Sequence, residues 1–367
     1  MGAAQRGLLG VLASAALLAA AWTALYKTAV RPVPIRAAQA GPEREQTAEP
    51  GANAEASVQQ RSEVPACRKQ GVYNILLCGM DADGLRTDTI MIAHLDERTG
   101  KTALVSVPRD TPVEAEDGSL MKLNAVYGGG AGGMARLQKR LAALTGFETD
   151  GYVLIDMDAF EAAVDLLGGV EFDVPQDMDY TDPAQGLEIH LRAGRQLLGG
   201  EQAMQLVRYR KGYAMQDIRR TEVQQEFLRA LARRCLSPQS IGRLPELLSI
   251  MRQSVTTDLS LGNFLYFAQA LHTCGVSELF CCTLAGEGVT VNGVSYYPLY
   301  EGRLLETVNA HLNPYDAPRR SADVRVITPE RVGTYQKPET KQKQTPPEKA
   351  PARTEIQPMP NDPALWS

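Results

Sequence analysis

Three short apolar segments between residues 72 and 107 constrain the fold of this chain more than any other feature. They cover residues 72–78, 89–95 and 102–107, and each has the length and the β-branched side chains of a strand. Residues 96–101, between the second and third segments, include turn formers and a glycine. This arrangement predicts a β-hairpin and places a sheet at the start of the folded part.

Acidic residues and arginines gather where these segments join. In a hairpin the start of one strand lies beside the end of the next, so Asp88 and Arg109 are expected at one end of the sheet. Asp81 follows the first strand and reaches Asp88 through a short loop, so it belongs there too. Carboxylates and guanidiniums on one rim suit a phosphate ligand with a divalent cation. The predicted rim cluster comprises Asp81, Arg86, Asp88, Arg109 and Asp110.

A second group of polar residues lies between two predicted helices. Arg208 and Arg210 end the first helix, and Asp217 opens a long amphipathic one. On that helix Asp217, Arg220 and Gln224 share one face, because they are spaced i, i+3 and i+7. Helix N-termini also favour anions. The group is therefore expected either to line a cleft or to be part of a solvated surface.

Beyond residue 107 the pattern alternates between helices and strands. Helices are predicted at 134–144 and at 159–167, the second capped by Asp158, with strands at 151–155 and 170–174. The dipeptide Asn292-Gly293 predicts a late hairpin. Alternation within roughly 250 residues indicates one α/β domain.

Several function classes are disfavoured by composition and motifs. The net charge of −5, without a block of Lys and Arg, argues against a nucleic-acid binder. Residues 128–133 read GGGAGG and contain GxGxxG, but the context favours a flexible loop over a dinucleotide site. No GxSxG is present, and the four histidines lack ligand spacing. The remaining chemistry, carboxylate, arginine and metal, suits transfer at a phosphate centre.

The N-terminal region predicts membrane attachment. Residues 7–26 carry no charge and are long enough to span a bilayer as a signal-anchor; a cleaved signal peptide is the alternative. Composition then predicts a disordered linker and a disordered C-terminal tail. The predicted organisation is an N-terminus with a transmembrane anchor at 1–28, a linker at 29–66, a folded domain at 67–318 and a tail at 319–367.

The six cysteines do not follow zinc-site spacing. Cys78 lies in a predicted core strand and is expected to act as a small apolar residue. Cys235 could form a disulfide with Cys274, Cys281 or Cys282, or all six could be reduced thiols.

The chain contains, in this order, the motifs NILLCGMD, RTDT, VPRDT, KLNAVYGGG, VDLLGGVEFDVP, LVRYR and DIRRTEVQQ. Together they make it similar to the LytR–CpsA–Psr family of cell-envelope proteins. The resemblance implies a three-layer α/β/α domain with a central mixed sheet, outside the cell, after one transmembrane helix. The small excess of basic residues at Lys27, Arg31 and Arg36 would by itself place the domain in the cytoplasm; the family topology is preferred.

The resemblance also implies an activity. Family members transfer glycopolymers, such as teichoic acid or capsule, from a polyprenyl-pyrophosphate carrier to peptidoglycan during cell-wall assembly. It implies Mg²⁺ (or Mn²⁺) near Asp81 and Asp88. For such a transferase, Asp88 or Asp110 is the candidate acid that helps to activate the acceptor hydroxyl. The implied pyrophosphate-binding residues are Arg86, Arg109, Arg208, Arg210, Asp217, Arg220 and Gln224.

Two positions depart from the family pattern, which usually has Gly where Arg219 stands and Arg where Val223 stands. These changes bear on substrate preference more than on fold. Two other functions use the same residues: a pyrophosphatase with water as the acceptor, and a non-catalytic lipid-pyrophosphate binder with a regulatory role in the envelope.

Overall fold

The computed structural model describes residues 30, 32–33, 66–81, 83–183, 186–211, 216–237, 240, 243, 246–247, 255–275 and 279–335. The predicted membrane segment at 7–26, nearly all of the predicted linker and the chain beyond 335 lie outside this part. Within the described residues, none of the helices combines the length and the apolar character that crossing a bilayer requires.

Strands and helices alternate along the described chain. The strands are β1 (Val72–Met80), β2 (Thr87–Asp96), β3 (Lys101–Ser106), β4 (Pro112–Glu114), β5 (Leu120–Lys122), β6 (Gly151–Ile155), β7 (Val170–Val174), β8 (Met178–Asp182), β9 (Leu187–Leu191), β10 (Gly194–Leu198), β11 (Val255–Thr257), β12 (Phe280–Thr283), β13 (Val289–Val291) and β14 (Val294–Tyr296). The α-helices are α1 (Gly133–Thr145), α2 (Met157–Leu166), α3 (Gly200–Arg208), α4 (Gln216–Cys235), α5 (Leu261–Cys274), α6 (Glu301–His311) and α7 (Pro329–Val332).

The central sheet has six strands in the order β11-β6-β1-β2-β3-β12. Strand β2 runs antiparallel to both β1 and β3, which confirms the predicted first hairpin. Strand β6 is parallel to β1, and β12 is parallel to β3, because helices and loops connect them. The predicted α/β class with a mixed central sheet is therefore confirmed.

Apolar clusters cover both faces of the sheet. On one face Leu76 and Ile92 belong to a cluster that includes Leu137 of α1 and Val308 of α6. On the other face Tyr73 and Ile75 pack against aromatic side chains of α5. This follows from the strand period, since successive side chains of β1 point to opposite faces.

A further apolar cluster lies around α4. Its fully buried Phe227 packs its ring against those of Phe160 on α2 and Phe172 on β7. The same turn of α4 also reaches the central sheet, because Nε2 of Gln225 donates to the Ser106 hydroxyl at 2.7 Å and to the Cys282 carbonyl at 2.6 Å. Helix α4 therefore joins the smaller cluster to the edge of the sheet.

A buried polar chain fixes the start of β1. Nη2 of Arg68 lies 2.5 Å from both carboxylate oxygens of Asp150, whose side chain is fully buried. Asp150 also accepts the backbone N–H of Asn74 at 2.8 Å. The Asn74 amide then donates to the carbonyl of Leu312 and contacts Nδ1 of His94 at 2.8 Å. Each of these four residues therefore has at least one polar partner, although Nε of Arg68 is buried without one.

The ends of several elements differ from the predictions. Helix α2 is capped by Asp156, not by Asp158, because the Asp156 carboxylate accepts the N–H of Ala159 at 2.7 Å. The late hairpin forms at the predicted place, with Asn292 in the left-handed region at φ 53°. All six cysteines are free thiols, and Cys78 is buried as expected.

The folded part also continues past the predicted boundary at residue 318. Val324 and Val326 are buried in the main cluster, and Val332 in α7 is fully buried. The alternating apolar residues explain this order, because they give the segment a side that can be buried. Within the predicted linker, Val33 is 7% exposed and packs on the Tyr73 face of the sheet.

We expect His94 to make the folded state sensitive to acid. Burial lowers the pKa of its imidazole from 6.5 to about 4; Asp96 opposes this shift, while Lys69, His311 and Arg68 add to it. Because the unfolded chain binds the proton first, the stability supplied by neutral His94 is present above pH 6.5 and is lost as the pH falls towards 4. The loss should reach roughly 3 kcal/mol at most.

Urea titrations of the protein between pH 7 and pH 4 would measure this loss. The variant His94→Gln keeps a polar side chain but cannot titrate there, so its free energy of unfolding should fall less steeply with pH. An identical pH dependence in both proteins would contradict the assignment.

Candidate active site

Asp88 occupies a β-bulge at the start of β2. In the register between β1 and β2, Gly79 lies opposite Thr89 and Met80 lies opposite Thr87, so Asp88 opposes no residue of β1. A bulge adds one residue to a strand and re-aims its side chain. The Asp88 side chain is 37% exposed, at the rim where β1 ends and β2 begins.

Arg109, which follows β3, meets Asp88 at this rim. Its Nη1 lies 2.5 Å from Oδ1 of Asp88, and its Nε lies 3.7 Å from Oδ2 of Asp110. The other oxygen of Asp110 lies 2.7 Å from Nζ of Lys122. The structure therefore brings the predicted Asp88, Arg109 and Asp110 together and adds a lysine to them.

Asp81 closes the loop between β1 and β2. Its Oδ1 accepts the backbone N–H groups of Leu85 at 3.0 Å and Arg86 at 3.1 Å. Within the part of the chain that the structure describes, Oδ2 of Asp81 has no hydrogen-bond partner and the exposed Arg86 side chain has no ion-pair partner. The loop thus offers one carboxylate oxygen and one guanidinium to a ligand.

The glycine-rich loop borders this rim. A Cβ atom at Gly129 would lie 3.1 Å from Cδ2 of Leu85, and the φ of Gly129 is +69°, which favours glycine. Arg136 of α1 holds the same loop, because its Nη2 donates to the Tyr127 carbonyl at 2.7 Å. The glycines therefore allow close approach of two loops beside the cleft.

Gln224 of α4 connects the second predicted group to the rim. Its Nε2 donates to the carbonyl of Val207 at 2.8 Å, and its Oε1 accepts from the Thr89 hydroxyl at 3.3 Å. Nη2 of Arg210 lies 4.0 Å from Oδ2 of Asp88, and Arg220 is only 4% exposed. The two predicted groups thus meet at the rim of the sheet.

A narrow cleft lies between the rim and α4. Arg109, Arg210 and Arg220, each with five N–H donors, lie around Asp88 there, so the local balance favours an anionic ligand. Arg109 and Arg220 line the cleft, and Arg210 lies near it, because its Nη2 is 4.0 Å from Oδ2 of Asp88. The residues that line the cleft are Asp88, Thr89, Ile90, Met91, Val107, Arg109, Arg220, Thr221 and Gln224.

Arg208 lies in a different place from the one predicted. It lines a cavity of about 350 Å³ on the other side of the α3 terminus, together with Glu161 and Glu201. Burial, assisted by the neighbouring acids Asp158, Glu201 and Asp165, raises the pKa of Glu161, and Arg208 opposes this shift. In this structure Arg208 therefore contributes charge to an acidic cavity beside the cleft.

The remaining predicted positions are on α4. The Asp217 side chain lies outside the described part of the structure. Arg219 pairs with Glu222 at 2.8 Å and with Glu226 at 3.7 Å, so it does not replace an arginine at position 223. Val223 itself is fully buried in the smaller apolar cluster.

Two site residues were missed by the sequence analysis. Lys122 comes close to Asp110 only because β4 pairs with β5, and this pairing is not visible in the sequence. Thr89 was counted as a strand residue, although the TDT pattern places its hydroxyl next to the bulge. Both are polar residues inside apolar segments, which is a usable signal.

The donor set near the rim suits a hard cation. Among the described residues, no group of three or more His, Cys, Asp or Glu side chains could hold a metal ion by itself. Mg²⁺ needs fewer protein ligands, since one or two carboxylates and the phosphates of a substrate commonly hold it. Asp81 and Asp88 lie at the same end of the β1–β2 pair, so the residues present fit such a cation.

A mixed α/β domain with an arginine-rich cleft at one rim of its sheet defines a protein suited to a phosphate-bearing ligand. The chain belongs to the LytR_cpsA_psr family, whose sequence model matches residues 35–313.

Curated relatives carry transferase names. The polyisoprenyl-teichoic acid–peptidoglycan teichoic acid transferase TagU of Oceanobacillus iheyensis is 26% identical over 237 residues, which cover 63% of this chain and 72% of TagU. The transferase TagV of Bacillus subtilis, with the same activity in its name, is 29% identical over 210 residues, 55% of this chain and 53% of TagV. The match thus spans only about half of TagV.

Solved structures have the same fold. A protein from Streptococcus agalactiae superposes with a TM-score of 0.61 at 22% identity, over 71% of this chain and 93% of that one. Bacillus subtilis TagV gives a TM-score of 0.58 at 25% identity, over 68% and 100% of the two chains. A structure of TagT bound to LIIa-WTA gives 0.55 at 23% identity, over 68% and 92%.

We expect Lys122 to support anion binding, because its ion pair with Asp110 leaves Arg109 available to the cleft. In Lys122→Met, Asp110 keeps Arg109 as its cationic neighbour and draws that guanidinium from the cleft. The affinity for inorganic pyrophosphate should fall about three- to tenfold, the size of a partly exposed ion pair. Titration calorimetry would measure it, with Lys139→Met, the same charge change on the exposed side of α1, as the control. Equal affinities in the two variants would refute this role.

Proposed function

We propose that the protein is a membrane-anchored transferase that moves a glycopolymer from a polyprenyl-pyrophosphate carrier to peptidoglycan in cell-wall assembly. The observation that carries the proposal is the convergence of Arg109, Arg210 and Arg220 around the bulged Asp88. This arrangement suits a pyrophosphate, whose charge is spread over several oxygens. The names of TagU and TagV, and the TagT complex, support the choice of donor and acceptor.

In the proposed reaction the guanidiniums bind and orient the pyrophosphate. An acceptor hydroxyl attacks the phosphorus on the glycan side, a new P–O bond forms, and the bond from that phosphorus to the bridging oxygen breaks. The polyprenyl monophosphate leaves with the electron pair. Arg109 and Arg220 stabilise the charge that develops on the phosphate oxygens, which is the main task of a protein in phosphoryl transfer.

The acceptor hydroxyl must also lose its proton. Asp88 lines the cleft, whereas Asp110 is held by Lys122 at 2.7 Å and does not face the cleft. Of the two acids, Asp88 is therefore the better placed to orient and activate the acceptor hydroxyl.

The proposed cofactor is Mg²⁺, or Mn²⁺ in its place. Asp81, through Oδ2, and Asp88 are the residues that would hold it at the rim. When bound, the cation supplies positive charge that neutralises pyrophosphate oxygens.

The proposed location is the cell membrane, with residues 7–26 as a single span and the folded domain outside the cytoplasm. The uncharged span supports the anchor. This location would also place the domain on the side of the membrane where its proposed acceptor, peptidoglycan, lies.

Removal of Arg109 should abolish most transfer without unfolding the domain. Arg109→Ala deletes a cation that contacts the reacting phosphate, so the rate of polymer transfer should fall by about 10²- to 10³-fold. Arg98→Ala, at the other end of β2, removes an equally charged but exposed side chain and should leave transfer unchanged. The assay would use a lipid-linked glycan with and without peptidoglycan. Normal transfer by Arg109→Ala would refute the role of Arg109 in binding the pyrophosphate, and release of free polymer without acceptor would indicate a pyrophosphatase.

The proposed metal site can be tested by a substitution that removes the charge of Asp81 but preserves the conformation of the β1–β2 loop. In Asp81→Asn the amide oxygen can still accept the N–H groups of Leu85 and Arg86, so the loop should keep its shape. The Mg²⁺ concentration for half-maximal transfer should rise by about tenfold or more, because one of only two carboxylate ligands is lost. Asp83→Asn, in the same loop and exposed, is the matched control. An equal Mg²⁺ requirement in both variants would rule out Asp81 as a ligand.

A further inference from the structure

The cavity at the end of α3 is separate from the arginine-rich cleft but lies close to it. Arg208 lines the cavity, whereas Nη2 of Arg210 lies 4.0 Å from Oδ2 of Asp88 in the cleft. Two residues of backbone, at most roughly 7 Å long, therefore separate the two sites. The volume of about 350 Å³ is in the range of small-ligand sites, roughly 300–1,000 Å³. We call this site the α3 cavity. Its charged and amide lining residues are Glu161, Asp182, Glu188, Glu201, Gln205 and Arg208.

Hydrogen bonds hold the walls of the α3 cavity in place. The Gln205 side chain joins α3 to β9, because its Oε1 accepts the N–H of His190 at 3.0 Å, and its Nε2 donates to Glu201 at 3.3 Å. The start of α3 is joined to α2, because the Asp165 carboxylate accepts the N–H of Gly200 at 2.7 Å. The space between α2, α3 and β9 is thus formed before a ligand binds.

The lining of the α3 cavity combines hydrogen-bonding groups that lack partners with apolar surface. Ionised Glu161 can only accept hydrogen bonds, and Arg208 can only donate them. Neither side chain forms a hydrogen bond or an ion pair with any residue that the structure describes. Leu187 and Met204, both buried, supply the apolar surface. A sugar matches this lining, because its hydroxyls donate as well as accept and its C–H groups pack on apolar atoms.

The charge of the α3 cavity disfavours phosphate. Four carboxylates and one guanidinium line it, so it has a formal excess of three negative charges, whereas the neighbouring cleft is rich in arginine. Burial, together with the acids around it, raises the pKa of Glu161, so a further anion would be unfavourable here. The cavity would therefore repel a phosphate-rich glycopolymer but not an uncharged glycan.

We infer that the α3 cavity binds the glycan strand of the acceptor, an uncharged polysaccharide of N-acetylated amino sugars. The inference rests on the proposed transferase function. Because only about 7 Å of backbone separates the cavity from Arg210, a glycan bound there holds its next hydroxyl close to a pyrophosphate in the cleft. The opposite charges of the two neighbouring sites thus direct the donor and the acceptor to different places.

Two methionines can report on the two sites separately, because Met204 lines the α3 cavity and Met91 lines the cleft. The full chain, isotopically labelled at the methionine methyl groups, would be titrated by NMR with chitotetraose, an uncharged N-acetylglucosamine oligomer, and with inorganic pyrophosphate. Chitotetraose should shift the Met204 signal and not the Met91 signal, and pyrophosphate should do the reverse. The variants Met204→Leu and Met91→Leu assign the two signals. An unshifted Met204 signal, or an equal shift with the anionic polymer poly(glycerol phosphate), would overturn the inference.

A charge-removing variant tests the lining of the cavity. Glu161→Gln keeps the size of the side chain, and its affinity for chitotetraose should fall about five- to tenfold, because a neutral hydrogen bond replaces a charge-assisted one. Glu171→Gln, on β7 and outside the cavity lining, makes the same change at an exposed position and should bind as the unaltered chain does. The Met91 shift with pyrophosphate shows that each variant is folded. Equal affinities for chitotetraose in the two variants would overturn the inference.

Transfer kinetics separate this inference from the proposed function. In Glu161→Gln the KM for peptidoglycan should rise by about the same factor, and the KM for the lipid-linked donor should not change. A rise in the KM for the donor alone would place the donor glycan in the cavity and overturn the inference. A chain that binds chitotetraose at Met204 but transfers no polymer contradicts only the proposed function, whereas active transfer without the Met204 shift contradicts only the role of the cavity.

Discussion

The contact between Asp88 and Arg109 sets the geometry of the whole rim. Asp88 can make it only because a bulge takes its side chain out of the regular alternation of β2. Without the extra residue, the carboxylate would follow the pleat, and the guanidinium would lose the anion that orients it. Asp88 also draws Arg210 towards the cleft from the other side. One irregular residue therefore organises cations that come from distant parts of the chain.

In this arrangement, nearby carboxylates neutralise part of the positive charge of the arginines at the cleft. Arginine side chains that surround an empty anion site would repel one another, so each needs a countercharge in the unliganded protein. Asp88 supplies part of it to Arg109 and Arg210, and Asp110 supplies part of it to Arg109 and Lys122. A bound pyrophosphate would replace these contacts rather than create new ones.

Elements with a regular hydrophobic period could be predicted from the sequence. Features that depend on tertiary contacts, such as strand register and side-chain placement, could not. The first hairpin and the meeting of Asp88 with Arg109 follow from strand length and turn residues alone. The bulge could not be predicted, because it depends on the register between β1 and β2. The location of the Arg208 side chain could not be predicted either, because the rotation of the chain at the end of α3 decides which cavity it lines. The ordered segment after residue 318 was obscured by the polar composition of the tail that follows it.

Helix α4 has consequences for how a chain of this kind can change in length. Its Val223 and Phe227 serve one apolar cluster, while the neighbouring Gln224 and Gln225 serve the cleft and the sheet edge. Adding or deleting one residue turns the rest of a helix by about 100°. Such a change would point the amides into the apolar cluster and the phenyl ring at the polar cleft. Length variation among homologous chains should therefore accumulate in surface connections, leaving the spacing within this helix fixed.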